Sequence, residues 1–105
     1  MKEITVSELK NRMDNNADFQ LIDVRELSEY EYCCIPGAEI IPMGEIITKL
    51  DRIDRDKEVI IHCKSGGRSG SVVNALMSRG FKNVCNLKGG ILAWSAEIDS
   101  SVPTY

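Results

Sequence analysis

Short apolar runs alternate with amphipathic segments along the whole chain. One run, Val59-Ile60-Ile61, has three consecutive β-branched residues, which is typical of a strand buried on both faces of a parallel sheet. Four further runs have the length and turn signals of short strands. The predicted strands are residues 4–6, 19–24, 39–41, 58–62 and 84–87.

Helical spacing of apolar residues fills the segments between these runs. Ser7 is a candidate N-cap for a first short helix with Leu9 and Met13 on its apolar side. Because strands and helices alternate, the sequence predicts one α/β domain over residues 1–105, with a mainly parallel five-stranded sheet and helices on both faces. The other predicted helices are residues 27–32, residues 43–50, a helix that begins near Arg68 and stops at Gly80, and residues 90–98.

Composition and charge exclude several classes of protein. The 105 residues are 43% hydrophobic and 28% charged, as in an ordinary globular domain. A net charge of −3 argues against bulk electrostatic binding to nucleic acid or to a membrane surface. No apolar run approaches the roughly 20 residues of a spanning helix, and the first residues lack the apolar core of a signal peptide. We therefore expect a cytoplasmic protein.

The four cysteines are expected to be reduced thiols in that compartment. Cys33 and Cys34 are neighbours and do not form a CxxC pair. His62 is the single histidine and lies beside Cys63, so the spacing of a zinc site is missing and we expect no metal. Cys85 falls within a predicted strand and is expected to be a core residue.

The stretch "HCKSGGRSG", residues 62–70, has the features of a reactive site. Cys63 follows a buried strand, where sites lie in α/β folds. Gly66 and Gly67 allow the backbone amides of a tight turn to face inward as an anion nest. The helix N-terminus near Arg68 adds partial positive charge, and Lys64 and Arg68 add full charges. All of these favour the thiolate of Cys63.

Cysteine-dependent phosphatases and arsenate reductases share a similar loop. Their pattern has five residues between Cys and Arg, whereas four separate Cys63 from Arg68 here. A loop that is one residue shorter encircles a smaller space. It would crowd a phosphoryl group and would better suit a single sulfur atom on the thiolate.

Three segments resemble the signatures of the rhodanese-like sulfurtransferase family, in the family's order. They are "LIDVRELSEYEYCCIPGA" (21–38), "CKSGGRS" (63–69) and "GFKNVCNLKGGILAW" (80–94). The tail "AWSAEIDSSVPTY" also resembles the rhodanese-like domain that ends certain enzymes that activate sulfur-carrier proteins.

This resemblance implies a three-layer rhodanese-like fold and a ping-pong sulfur transfer through a Cys63 persulfide. The implied donor is a small anion such as thiosulfate, or another persulfide. The implied acceptor is cyanide or a thiol, including a protein thiol, and no cofactor is needed. The substrate-binding residues implied are Lys64, Ser65, Gly66, Gly67, Arg68 and Ser69.

Other positions have structural and functional interpretations that the sequence does not separate. Family members usually carry His where this chain has Cys34, which is either a packing substitute or, with Cys33, a relay thiol. Asp23 and Arg25 are expected to form a structural ion pair or to brace the loop with hydrogen bonds, in preference to a direct catalytic role. A non-catalytic interaction module is a further alternative, although it needs no thiol at Cys63. The donor, the acceptor and the oligomeric state are left open.

Overall fold

Five parallel strands form one sheet in the computed structural model, which describes all 105 residues. The strands are β1 (Glu3–Ile4), β2 (Phe19–Asp23), β3 (Glu39–Ile40), β4 (Glu58–His62) and β5 (Val84–Leu87). The helices are α1 (Val6–Asp14), α2 (Leu27–Tyr32), α3 (Gly67–Ser78) and α4 (Gly90–Glu97), with a 3₁₀ helix at Met43–Arg52. The strand order is β1-β5-β4-β2-β3 and every pairing is parallel, which confirms the predicted fold class.

Two apolar layers, one on each face of the sheet, form the core. Successive side chains of a strand point to opposite faces, so Ile60 belongs to one layer while Val59 and Ile61 belong to the other. Both faces of β4 are therefore buried, which explains its continuous apolar run. Leu9 of α1 and Trp94 of α4 pack into the first layer. Val73 of α3 and Ile46 of the 3₁₀ helix pack into the second.

The first helix begins earlier than the sequence pattern predicted. Strand β1 ends at Ile4 and α1 starts at Val6, so Ser7 is not the N-cap. Thr5 takes that role: its side chain accepts a hydrogen bond from the Glu8 N–H at 3.1 Å, and the Glu8 carboxylate accepts one from the Thr5 N–H at 2.9 Å. This reciprocal pair is a capping box. Its T-x-x-E pattern is readable in the sequence and overrides the weaker single-residue signal of Ser7.

The segment at Met43–Arg52 is a 3₁₀ helix with non-helical backbone angles at Lys49. The sequence predicted an ordinary helix there. Three consecutive β-branched residues, Ile46, Ile47 and Thr48, lower the propensity of this segment for a regular α-helix. The predicted apolar side is retained in part, since Ile46 is buried and Ile47 is exposed.

The carboxyl ends of the three central strands meet at one edge of the sheet. Strand β4 lies between β2 and β5, and the residues that follow them are at this edge. Sites of open α/β sheets lie beyond such an edge. No helix has both the length and the apolar character that a bilayer crossing requires.

The capping box gives a test of the helix start. Thr5→Ala should lower the free energy of unfolding by about 1 kcal/mol, because an N–H at the start of α1 loses its acceptor. Ser7→Ala, at the position that the sequence pattern favoured, should have an effect below about 0.5 kcal/mol. Urea denaturation of both variants measures the difference. A larger loss for Ser7→Ala would contradict the assignment of Thr5.

Candidate active site

Cys63 lies directly after β4 at the base of a tight loop, where the residue is only 1% exposed. The loop bends back so that the Gly66 N–H donates a hydrogen bond to the sulfur at 3.1 Å. Gly66 has a φ of +115° and forms the N-cap of α3, a conformation that strongly favours glycine. The turn that the sequence predicted around the sulfur is therefore present, and its amides face inward.

The environment of Cys63 favours the thiolate. Burial alone raises the pKa of the thiol, but the Ser69 hydroxyl and the backbone amides of Ser69, Gly66 and Ser65 outweigh burial and hold the pKa below its usual value. The amides are fixed donors at the N-terminus of α3, where the helix dipole also favours negative charge. The Cys63 thiol is consequently more ionised near neutral pH than a free cysteine.

Ser69 and Asn86 support the loop from the side of the neighbouring strand. The Ser69 hydroxyl lies 3.3 Å from the Cys63 sulfur and 2.5 Å from Asn86 Oδ1, and its single proton serves one of them at a time. The Asn86 amide donates to the Gly66 carbonyl at 3.2 Å. Asn86 was not predicted as a site residue. The available signal was a polar residue within the apolar strand β5, since buried polar groups need partners.

The start of α4 holds the other side of the loop. The Ile91 N–H donates to the Cys63 carbonyl at 3.0 Å, and the Leu92 N–H donates to the Lys64 carbonyl at 3.1 Å. Gly90 makes this approach possible, because a Cβ there would lie 2.5 Å from the Lys64 oxygen and 2.6 Å from the Cys63 oxygen. Its φ of +57° adds a second reason for glycine.

His62 is fully buried and contacts the backbone of the loop. Its Nδ1 lies 3.2 Å from the Cys63 carbonyl oxygen. Burial lowers the pKa of His62 more than the Asp23 carboxylate, 3.7 Å from Nε2, raises it. A neutral imidazole that donates from Nδ1 to a carbonyl serves to orient the loop.

Both loop cations are engaged with side chains from other segments. Arg68 donates two hydrogen bonds to the carboxylate of Glu29 in α2, at 2.7 and 3.0 Å. Glu29 raises the pKa of Arg68, with a smaller contribution from the Cys63 thiolate, and Arg68 in turn lowers the pKa of Glu29 to about 2. The ammonium of Lys64 lies 4.4 Å from the centre of the Tyr105 ring. Neither Glu29 nor Tyr105 was predicted as a site residue, although both fall in segments that carry the family resemblance.

Asp23 and Arg25 form a fully buried ion pair beside the loop. The Arg25 guanidinium donates to the Asp23 carboxylate at 2.7 Å and to the Cys33 carbonyl at 2.7 Å. Its other terminal nitrogen donates to the Tyr105 hydroxyl, also at 2.7 Å. Of the two options that the sequence left, the structure has the ion pair, and its contacts join the end of β2 to the segment after α2 and to the tail.

The other three cysteines have different environments, and all four are free thiols. Cys85 is fully buried in the core, where burial raises the pKa of its thiol to about 11. The Cys33 sulfur lies 3.7 Å from the Pro103 carbonyl oxygen, whereas Cys34 is half-buried. The structure also contains no group of three or more His, Cys, Asp or Glu side chains that could hold a metal ion.

A family model described as the rhodanese-like domain matches residues 5–97. The putative sulfurtransferase YtwF of Bacillus subtilis (strain 168) is 42% identical over 97 residues, which are 92% of this chain and 93% of YtwF. The crystal structure of a rhodanese-like domain protein from Staphylococcus aureus superposes with a TM-score of 0.86 at 34% identity, over 100% of this chain and 99% of that one. This chain belongs to the rhodanese-like family.

The resemblance of the tail to longer enzymes is also confirmed. The probable adenylyltransferase/sulfurtransferase MoeZ of Mycobacterium tuberculosis (strain ATCC 25618 / H37Rv) is 33% identical over 104 residues, which cover 97% of this chain and 26% of MoeZ. The chain spans 38% of another curated relative and 52% of a third. The family thus uses this domain both alone and as part of larger proteins.

The lowered pKa of Cys63 predicts the pH dependence of its alkylation. Since the thiolate is the reactive form, a lower pKa means that the rate reaches its plateau at a lower pH than for a free thiol. Peptide mass spectrometry of Cys63 after iodoacetamide treatment at increasing pH measures the midpoint. An alkylation rate that still rises steeply above about pH 8.5, the ordinary pKa of a cysteine thiol, would contradict the stabilisation of the thiolate by the loop amides.

The close approach at Gly90 predicts a large cost for an added methyl group. Gly90→Ala should destabilise the fold by at least about 1–3 kcal/mol, because it combines a backbone clash with an unfavourable φ. Gly44→Ala is the matched control, since a Cβ at Gly44 meets no atom within 4 Å. Thermal and urea unfolding compare the two variants. Equal stabilities would show that α4 can withdraw from the loop at little cost.

Proposed function

We propose that this protein is a sulfurtransferase that carries a sulfane sulfur as a persulfide on Cys63. The observation that carries the proposal is the cradle of amides around the sulfur, with the Gly66 N–H at 3.1 Å. A cradle of this kind stabilises the attacking thiolate and the anion that follows from it. Covalent catalysis in two steps then splits the transfer into two simpler displacements.

In the first step, the Cys63 thiolate attacks the outer sulfur of the donor. With thiosulfate, a bond forms between the cysteine sulfur and the sulfane sulfur, the sulfur–sulfur bond of thiosulfate breaks, and sulfite leaves with the electron pair. In the second step, a thiolate or cyanide attacks the outer sulfur of the persulfide. The cysteine thiolate leaves, and the loop returns to its starting state with no net oxidation.

The size of the loop supports a sulfur atom as the group transferred. Four residues separate Cys63 from Arg68, and Cys63 is 1% exposed, so the space next to the sulfur is small. Phosphoryl transfer would require room for three equatorial oxygens and cations free to bind them, whereas Arg68 is already paired with Glu29. These features favour the sulfurtransferase over a phosphatase or an arsenate reductase.

The proposed partners are a small sulfur donor and a thiol acceptor, either free or on a protein. Relatives described as a sulfurtransferase and as an adenylyltransferase/sulfurtransferase support this class of reaction. We place the protein in the cytoplasm, where the reducing conditions keep its four cysteines as thiols. The transfer as written requires no metal or organic cofactor.

Loading of sulfur onto Cys63 tests the proposal. After exposure to thiosulfate, the intact mass should rise by one sulfur atom, and Cys63→Ser should abolish both the gain and the transfer to cyanide. Cys34→Ser is the matched control and should retain most of the activity. Turnover lost in Cys34→Ser with loading intact would instead assign Cys34 as a relay thiol.

A phosphatase assay on the same samples examines the main alternative. Efficient hydrolysis of an aryl phosphate by the unmodified protein, with no sulfur on Cys63 from thiosulfate or from an alkyl persulfide, would overturn the proposed function. Sulfur loading without phosphate hydrolysis would support it.

A further inference from the structure

Glu29 pairs with Arg68, the cation at the end of the Cys63 loop. Its carboxylate accepts two hydrogen bonds from Arg68, at 2.7 and 3.0 Å. The two side chains are only 19% and 34% exposed, so solvent screens the pair less than it would an exposed one. An ion pair of this two-point geometry is among the stronger charge-assisted contacts.

Contacts behind Glu29 hold its carboxylate in place. The Tyr105 hydroxyl donates to one oxygen at 2.7 Å, and the Glu26 N–H donates to the other at 3.0 Å. The Tyr105 hydroxyl accepts from Arg25, which is itself fixed by Asp23. Glu29 therefore cannot swing away without breaking four hydrogen bonds, and Arg68 is held with it.

The charges around the loop consequently offer little net attraction for an anion. The thiolate of Cys63 and the carboxylate of Glu29 are both negative, since Arg68 holds the pKa of Glu29 at about 2. Arg68 balances one of these charges and Lys64, which keeps its charge over the Tyr105 ring, balances the other, so the four groups have no net positive charge. A thiosulfate dianion would bring two further negative charges close to these groups.

Building on the proposed function, we infer that Glu29 determines donor specificity by keeping Arg68 from the donor anion. The site then prefers sulfur donors that carry one negative charge, such as an ionised alkyl persulfide or a thiosulfonate, over dianionic thiosulfate. Thiosulfate remains a substrate, but a poor one. Glu29 acts through Arg68 and through its own charge, so it is a specificity-determining residue and not a catalytic one.

The first test measures charge selection at Cys63 without any sulfur transfer. Iodoacetate and iodoacetamide have similar size but differ by one negative charge, and both react with the thiolate, so the ratio of their rates at Cys63 reports the local charge. Glu29→Gln should raise the iodoacetate-to-iodoacetamide ratio about 3- to 10-fold, as expected for one charge across a partly solvated site. Peptide mass spectrometry separates Cys63 from the other thiols.

Glu31→Gln is the matched control. Glu31 lies on the same helix, is exposed and loses the same charge, but nothing ties it to Arg68. The iodoacetate-to-iodoacetamide ratio of Glu31→Gln should stay within a factor of about 2 of the ratio for the unmodified protein, because exposed charges are screened. In an Arg68→Ala background, Glu29→Gln should produce a smaller increase, since only the repulsion by Glu29 is then removed.

The second test compares donors. Thiosulfate carries two negative charges and benzenethiosulfonate carries one, and both give up a sulfane sulfur to a thiolate. Glu29→Gln should raise kcat/KM for thiosulfate about 3- to 10-fold relative to benzenethiosulfonate. If Glu29→Gln fails to fold, Glu29→Asp keeps the charge while shortening the reach to Arg68, and it should give a smaller shift in the same direction.

The outcomes separate this inference from the proposed function. Unchanged ratios in a folded Glu29 variant, in both tests, would overturn the role of Glu29 whether or not the protein transfers sulfur. Absence of transfer from every donor, together with a raised iodoacetate ratio, would overturn the proposed function and retain the charge selection. A preference of the unmodified protein for thiosulfate over benzenethiosulfonate would also contradict the inference.

Discussion

The hydrogen bonds from α4 to the carbonyls of Cys63 and Lys64 are the constraint on which the site depends. They hold the loop from outside, at its oxygens, so the amides that follow are turned toward the sulfur. A free loop of this length would offer those amides to water and would lose entropy when it closed on a substrate. In this fold the loop is already ordered, because Gly90 allows α4 to pack against the backbone of the loop.

A chain of hydrogen bonds joins four separate segments at the rim of the site. It runs from Asp23 through Arg25 and Tyr105 to Glu29 and ends at Arg68. Each charged group in the chain faces a partner of opposite sign or a hydroxyl, which is the condition under which buried charge is tolerated. The chain also fixes the direction of each side chain. The charge distribution near Cys63 therefore depends on this chain of hydrogen bonds as well as on the residues of the Cys63 loop.

Much of the fold could be predicted from the sequence, because patterns among neighbouring residues decide where the strands and helices lie. Strand β4 was predicted at its observed bounds, because three β-branched residues in a row have few alternatives to a buried strand. The start of α1 was misplaced because two neighbouring residues, Thr5 and Ser7, can both cap a helix and only the pairing with Glu8 decides between them.

The sequence predicted the part of the site whose residues are adjacent in the chain. It did not predict the contacts between residues that are distant in the chain. Cys63, Gly66 and the N-terminus of α3 follow one another in the sequence, so the loop could be predicted from their order. Glu29 and Asn86 reach the loop from another helix and another strand. Their contacts depend on side-chain directions that residue types do not encode, and the pairing of Arg68 could not be inferred from its charge.

The burial of Cys63 also bears on oxidative damage. Thiolates pass through sulfenic acid to sulfinic and sulfonic acids, gaining one oxygen at each stage. With Cys63 1% exposed and its sulfur hydrogen-bonded to the loop, each added oxygen must be accommodated beside backbone amides that already contact the sulfur. Sulfenic acid adds one oxygen at this crowded position, whereas sulfinic and sulfonic acids add a second and a third. The low exposure of Cys63 therefore disfavours the irreversible stages of oxidation more than the first, reversible one.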